Sequence, residues 1–443
     1  MSRTFHLIGL GCPKNQVDSE VIWAGLAEAG WVAVDEPAAA DLIVVNTCAF
    51  IQAAVEESLE TILALDALRN SGRLRWLVVA GCLPARYGHA LLDELVEVDC
   101  FCCPGEVGRV VQRIEAATTG GPRWCGRAGE SYLLDADTPR VNALSTGAAY
   151  LKVADGCSRR CSFCIIPQLR GPQRSRTLDD LVAEAENLVR WGVSEIVLVA
   201  QDLAAWGRDL PQRPELAELV DALAGVAGLD WLRLMYLYPA EVSPRLLQVV
   251  AEREAVLAYL DVPLQHVDAD ILRRMRRGGD AGRMLDWIAD VRRRLPGAVL
   301  RSTLMTGFPG ETAASFARLE DFVGRAAFER LGVFAYSAEE GTAAAELDGA
   351  VAPELAAERR DRLLAIQQPI AAAYHRGLIG RSIEVLVEGA AADGRLLGRA
   401  WNQAPEVDGE TRLDGRAVLG EVVAARVTGG DAYDLEAEVI GSE

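Results

Sequence analysis

Short apolar runs alternate with helical patterns along most of this chain, and that alternation restricts it to parallel α/β architectures. In the first third, residues 6–10, 41–45 and 76–80 read as strands. Helices are expected over about 19–29 and 51–68, with another after Pro84. Each run ends at a cysteine, in Gly11-Cys12, Asn46-Thr47-Cys48 and Gly81-Cys82. Ligands of an open parallel sheet bind beyond the carboxyl ends of its strands. Cys12, Cys48 and Cys82 can therefore converge on one point as a three-thiolate site. Small buried thiols are the competing reading. A fourth run, 98–104, carries Cys100, Cys102 and Cys103. Alternation puts the first two on one face, and buried thiols is the preferred reading for all three. Cys103 ends its strand as the others do, close to the proposed site.

After a stretch rich in Gly, Pro and charge, the alternation resumes. Runs at 149–154, 195–200, 231–237, 259–262, 299–305 and 331–336 make six βα units. Six in succession favour a barrel or partial barrel over a doubly wound sheet. The expected rim of chemistry then holds Gln201-Asp202, Tyr238-Pro239, Gln265-His266, Ser337 and the loop from Gly307 through Gly310 to Glu311. His266 reads either as a base or as an orienting hydrogen-bond partner. The two glycines serve either a close ligand approach or a turn. Arginine runs at 273–277 and 292–294 read as solvated helix faces, with nucleic-acid contact the lesser reading. Beyond about residue 381 the pattern turns to β, with strands expected at 382–388, 396–401, 421–427 and 434–440. The expected domains are 1–118 (open parallel α/β), 119–142 (linker), 143–375 (partial (βα)6 barrel) and 376–443 (small antiparallel β-barrel).

The first of the six middle runs leads into Cys157, Cys161 and Cys164, spaced C-x3-C-x2-C. An iron–sulfur cube takes one thiolate per iron, so three clustered cysteines leave one iron open to a small molecule. A zinc site or buried thiols are the alternatives, but no paired C-x2-C or His pair stands nearby. Ten cysteines and no apolar leader speak for reduced or metal-bound thiols in a cytoplasmic protein. No apolar run approaches the ~18–20 residues of a membrane span. The net charge is −19, and only two of the cations, Lys14 and Lys152, are lysine. Residues 378–443 hold thirteen acidic and six basic side chains. That balance disfavours nonspecific nucleic-acid binding and suits a basic polypeptide.

The C-x3-C-x2-C motif, with Phe163 before its last cysteine, resembles the signature of radical S-adenosylmethionine enzymes. With three N-terminal cysteines and a last barrel like a TRAM domain, the whole chain is similar to the methylthiotransferases. Residues 10–20 (LGCPKNQVDSE), 260–266 (LDVPLQH) and 336–342 (YSAEEGT) resemble the branch that methylthiolates an aspartate of ribosomal protein S-twelve. The resemblance implies two 4Fe-4S clusters, one on Cys157, Cys161 and Cys164 and one on Cys12, Cys48 and Cys82. It places S-adenosylmethionine at the first, with Phe163 by the adenine and with Gln201, Asp202, Gly307, Gly310 and Glu311 as further cofactor contacts. It implies an external electron donor and a sulfur source as partners. It also implies Gln403, where the family has Asp, as a position that alters partner contact. Two other functions stand beside it. One is tRNA methylthiolation, with nucleic acid as the substrate; the other is a non-enzymatic iron–sulfur or zinc protein that binds the ribosome. The extra cysteines at 100, 102, 103 and 125 receive no role.

Overall fold

The structure is a computed structural model that describes residues 3–71 and 73–441. The N-terminal sheet contains β1 (Thr4–Gly9), β2 (Val32–Ala33), β3 (Leu42–Thr47), β4 (Trp76–Gly81), β5 (Cys100–Cys102) and β6 (Trp124–Cys125). Its order is β2-β1-β3-β4-β5-β6, and every pairing is parallel. Strand β3 is buried along its whole length, as a central strand covered on both faces must be. Apolar clusters fill both sides of this sheet. Several details differ from expectation: β2 was not expected, and the helix expected after Pro84 begins at Cys82. The first helix runs Pro13–Glu28 and begins directly after Cys12, with Pro13 in its first turn. Buried Lys14, Asn15, Asp18, Ser19 and Glu20 mask its amphipathic pattern in the sequence. The segment expected to be a linker contributes β6, which pairs with β5.

The middle sheet runs β14-β13-β12-β11-β10-β7, parallel throughout and in chain order. Its strands are β7 (Ala148–Lys152), β10 (Glu195–Val199), β11 (Trp231–Leu234), β12 (Val256–Asp261), β13 (Val299–Thr306) and β14 (Arg330–Ala335). β7 and β14 are the two ends of that order, so the barrel is open, a partial (βα)6 wall. A short antiparallel ladder, β8 (Ala154–Asp155) with β9 (Arg174–Ser175), brackets the C-x3-C-x2-C loop. Helix Leu178–Arg190 shows how the sequence builds the outer layer. Thr177 caps it by accepting from Asp180 N, and Leu181, Glu184, Ala185 and Leu188 form its buried stripe.

The last strands are β15 (Ser382–Ala390), β16 (Leu396–Ala400), β17 (Thr411–Asp414), β18 (Val422–Gly430) and β19 (Leu435–Val439). They close a five-stranded barrel in the order β15-β16-β17-β19-β18. Strand β17 was not expected, and its parallel pairing with β19 completes the ring. The concave face of the middle sheet packs Tyr150, Trp231 and Tyr259 against Ala404 and Leu386 of the last barrel. The hydroxyl of Tyr150 donates to Glu406 at 2.7 Å and that of Tyr259 to Asp408 at 2.6 Å. Glu195 is buried between Arg233 (2.6 Å) and Arg399 (2.5 Å), which ties the barrels together electrostatically. Gln403 does not face a partner. It is fully buried, accepting from Ala400 N (2.8 Å) and Thr411 Oγ1 (2.6 Å) and donating to Glu410 O (3.0 Å). It braces the barrel from inside. Among the described residues, no helix is long and apolar enough to cross a membrane.

Candidate active site

Three polar side chains lash together the strand ends that carry the N-terminal cysteines. Asn15 Nδ2 donates to Leu10 O (3.1 Å) and Thr47 O (2.8 Å). Asn46 Nδ2 donates to Asn15 O (2.8 Å) and Ser19 Oγ (2.9 Å). Thr47 Oγ1 donates to Ala80 O (2.6 Å) and accepts from Leu83 N (3.1 Å). Gly11 has φ +102°, and a Cβ there would stand 2.6 Å from Cys48 Cβ, so only glycine lets the two cysteine loops touch. Cys12 caps helix Pro13–Glu28, Cys48 follows β3, and Cys82 opens helix Cys82–Tyr87. Burial, then the neighbouring Cys82, pushes the Cys48 thiol up to about 12.

The second triplet lies at the corresponding end of the middle sheet. Cys157 N donates to Gly171 O (3.0 Å), and Cys164 N donates to Cys161 O (3.2 Å). Ser162 pins the loop outward, its Oγ donating to Arg274 O at 2.8 Å. Arg277 brings a guanidinium nitrogen to 3.8 Å from Cys161 Sγ and stacks on Tyr238, whose other neighbour is Arg159. Burial pushes the Cys164 thiol up to about 12.

A buried charge network joins the two triplets. Arg170 donates to Asp155 at 2.9 Å and to Asn15 Oδ1, and pairs with Asp18 at 2.9 Å. Lys152 Nζ lies 2.5 Å from Asp18 and 3.1 Å from Asp155. Asp155 stands two residues before Cys157, while Asn15 and Asp18 sit on the first turns after Cys12. Burial opposes the charge of Arg170, but Asp155, Asp18, Cys82 and Cys12 outweigh it and hold its pKa well above the ordinary value. Arg170 therefore faces the N-terminal thiols and the root of the second loop. Lys14 stacks 3.8 Å above the ring of Tyr236, with Cys12 beside both. A further interdomain ion pair, Arg86–Glu339 at 2.7 Å, is almost fully buried.

The rim residues fall as follows. Gln201 Nε2 donates to Asp155 Oδ1 at 2.9 Å, and its Oε1 is buried without a partner. Asp202 Oδ2 accepts from Arg159 at 2.5 Å, and its Oδ1 is likewise buried and unpartnered. Phe163 meets Phe308 edge-on at 6.4 Å. Gly307 (φ +75°) packs so tightly that a Cβ would stand 2.2 Å from Ala356 Cβ. A Cβ on Gly310 would meet Arg274 Nε at 2.9 Å. Glu311 is buried, accepting from Arg359 at 2.5 Å and from Gly307 N at 3.1 Å. His266 is fully buried, and its Nδ1 accepts from Asp268 N at 2.9 Å. Its proton therefore sits on Nε2, which donates to Glu311 Oε2 at 3.3 Å. That is the orienting role, not the base.

Sequence reasoning missed Lys14, Asn15, Asp18, Lys152, Asp155, Arg170 and Arg277. The one available signal was that both lysines of an arginine-rich chain stand near cysteine motifs. Arg277 belonged to a run read as solvated, and instead reaches the sulfur of Cys161.

Three family models match the chain: uncharacterized protein family UPF0004 over residues 4–103, the radical SAM superfamily over 151–323 and the TRAM domain over 379–440. Among curated proteins, the ribosomal protein uS12 methylthiotransferase RimO of Anaeromyxobacter sp. (strain K) is 47% identical, covering 100% of this chain and 94% of that protein. The protein of the same name from Myxococcus xanthus (strain DK1622) is 44% identical, covering 99% and 92%. This chain belongs to the uS12 methylthiotransferase family. Among solved structures, the radical S-adenosylmethionine methyltransferase TsrM from Kitasatospora setae aligns with TM-score 0.54 at 16% identity, covering 76% of this chain and 75% of that one. The radical enzyme OxsB aligns with TM-score 0.52 at 11% identity, covering 82% and 56%. Those two likenesses concern the fold alone.

As a radical SAM methylthiotransferase, the chain is an enzyme that uses a 4Fe-4S cluster and S-adenosylmethionine. The donors fit those groups. Each triplet gathers three thiols at one end of its sheet, one short of the four thiolates of a cube. The orphaned oxygens of Gln201 and Asp202 are acceptors for a polar small molecule.

Proposed function

We propose that this chain adds a methylthio group to the β-carbon of an aspartate in ribosomal protein uS12, using two iron–sulfur clusters. Cys157, Cys161 and Cys164 would hold the cluster that works with S-adenosylmethionine, and Cys12, Cys48 and Cys82 a second. When bound, these groups supply a radical that removes hydrogen from an unactivated carbon and the sulfur that replaces it. The chain's own residues do the placing. Phe163 offers a ring to the adenine, and Gln201 and Asp202 offer their free oxygens to polar hydrogens of the cofactor. Gly307, Gly310 and Glu311 shape the neighbouring wall. Arg170 and Lys14 keep positive charge beside the N-terminal thiolates, and Arg277 beside Cys161.

The observation that carries this reading is the buried network of Asp18, Lys152, Asp155 and Arg170, which couples the roots of both triplets. The substrate follows from the curated relatives and from charge. Glu384, Asp414, Glu421, Glu436 and Glu438 are exposed on the last barrel, a surface suited to a basic protein and repellent to a phosphate backbone. An external electron donor and a sulfur source complete the set of partners.

The test is mass spectrometry of uS12 and of tRNA after incubation with reconstituted enzyme. A gain of one methylthio group on an aspartate of uS12 is expected; modification of tRNA alone would overturn the reading. Replacing Cys12, Cys48 and Cys82 by alanine is expected to keep 5′-deoxyadenosine formation and abolish methylthiolation. Replacing Cys157, Cys161 and Cys164 is expected to abolish both.

A further inference from the structure

Four cysteines lie outside the two triplets, and three of them converge. Strands β5 and β6 are only three and two residues long, at the edge of the N-terminal sheet. Alternation turns Cys100 and Cys102 to the face covered by helices Pro13–Glu28 and Val110–Thr118, among Ile22, Val110 and Ile114. Parallel register then sets Cys125 beside Cys102. Cys103 turns to the opposite face, among Val79 and Cys82.

The three sulfurs lie within 4.8 Å of one another, and those of Cys100 and Cys102 are 3.7 Å apart. Thiolates bonded to one tetrahedral ion at about 2.3 Å stand about 3.8 Å from each other. The group is thus preset at single-ion spacing. All three side chains are buried. Arg113 lies close enough to Cys125 and Cys102 to interact with their charge. Arg113 is in turn held by Glu106 at 2.7 Å. Three thiolates around a divalent ion carry one net negative charge, and Arg113 stands where it offsets that charge.

We propose that Cys100, Cys102 and Cys125 bind one zinc ion, a three-thiolate site that staples the edge strand β6 to its neighbour β5 and is separate from both iron–sulfur triplets. Zinc displaces the thiol protons to solvent, no electron is transferred, and a water or other small ligand takes the fourth position. Thiolate-only donors select zinc over hard cations, and zinc needs no redox partner. The inference does not depend on the proposed substrate.

The experiment uses the full chain, purified with zinc supplied under reducing conditions and with its iron–sulfur clusters reconstituted. Elemental analysis is expected to give about one zinc per chain beside the iron, and zinc-edge X-ray absorption three sulfurs at about 2.3 Å. The Cys102→Ser variant is expected to lose zinc about tenfold or more, while Cys103→Ser keeps it. Four results would overturn the proposal: absence of stoichiometric zinc, a shell with fewer than three sulfurs, equal loss in Cys103→Ser, or a Cys102–Cys125 disulfide in the reduced preparation. The absorption measurement on the unmutated chain decides the matter even if Cys102→Ser fails to fold.

Discussion

Neutralising Asp155 leaves Lys152 and Arg170 in one buried space with Asp18 as their one remaining carboxylate partner among the described residues. Breaking a buried ion pair from one side costs roughly 3–5 kcal/mol, because the surviving charge stays desolvated. Asp155→Asn is therefore expected to lower the denaturant midpoint markedly. It should also reduce the iron retained by the two proposed clusters, since Asp155 orients Gln201 and the Gly156 amide as well. Normal stability and iron content in that variant would show that the network only fills space. His266 is the opposite case, a histidine at a strand end whose hydrogen bonds leave no ring nitrogen free to take a proton. His266→Asn is expected to weaken the loop that begins at Gly307, without the change in the pH–rate profile that loss of a general base produces.

Among elements, the Gly307 loop and helix Pro353–Arg376 are pressed together. Gly307→Ala places a Cβ 2.2 Å from that of Ala356 and imposes a left-handed φ on a residue with a side chain. A loss of about 2 kcal/mol or more is expected in thermal or urea unfolding. Adding Ala356→Gly should recover the steric share and leave the backbone share. Full recovery would mean that φ carries no strain here. The same helix carries His375, whose Nδ1 donates to Asp431 O at 2.9 Å while Nε2 accepts from Arg330 at 3.0 Å. Burial, then the Arg330 guanidinium, pushes its pKa down from 6.5 to about 4. Between those values the unfolded chain takes up a proton that the folded chain refuses. Stability is therefore complete above about pH 6.5 and lost as pH falls towards 4, by about 3 kcal/mol. Unfolding followed across that range should show the slope in the parent and a smaller one in His375→Asn.

At the scale of the molecule, a net charge of −19 and an exposed acidic last barrel should draw a basic protein substrate by long-range attraction. Raising the salt concentration is expected to increase KM for uS12 several-fold while leaving uncoupled S-adenosylmethionine cleavage almost unchanged. Equal sensitivity of the two would place the salt effect on the enzyme itself. Glu195 tests the join between barrels. Glu195→Gln removes the charge held between Arg233 and Arg399, and is expected to speed proteolytic release of the last barrel.

The sequence by itself determined the strand–helix alternation, the placement of six cysteines at strand ends and the change to β structure after about residue 381. All of these are local: alternation has a fixed period, and a cysteine after an apolar run stays at that sheet edge whatever else the chain does. Tertiary structure alone decided the rest. Lys152 meets Asp18 from 134 positions away, and in sequence each looks like an ordinary surface charge. Trp124–Cys125 is too short to read as a strand until β5 offers it a partner. Strand β17 closes its barrel only through a parallel partner beyond β18. The site is read from short-range pattern up to its cysteines, and from long-range pairing in everything that charges, braces and joins them.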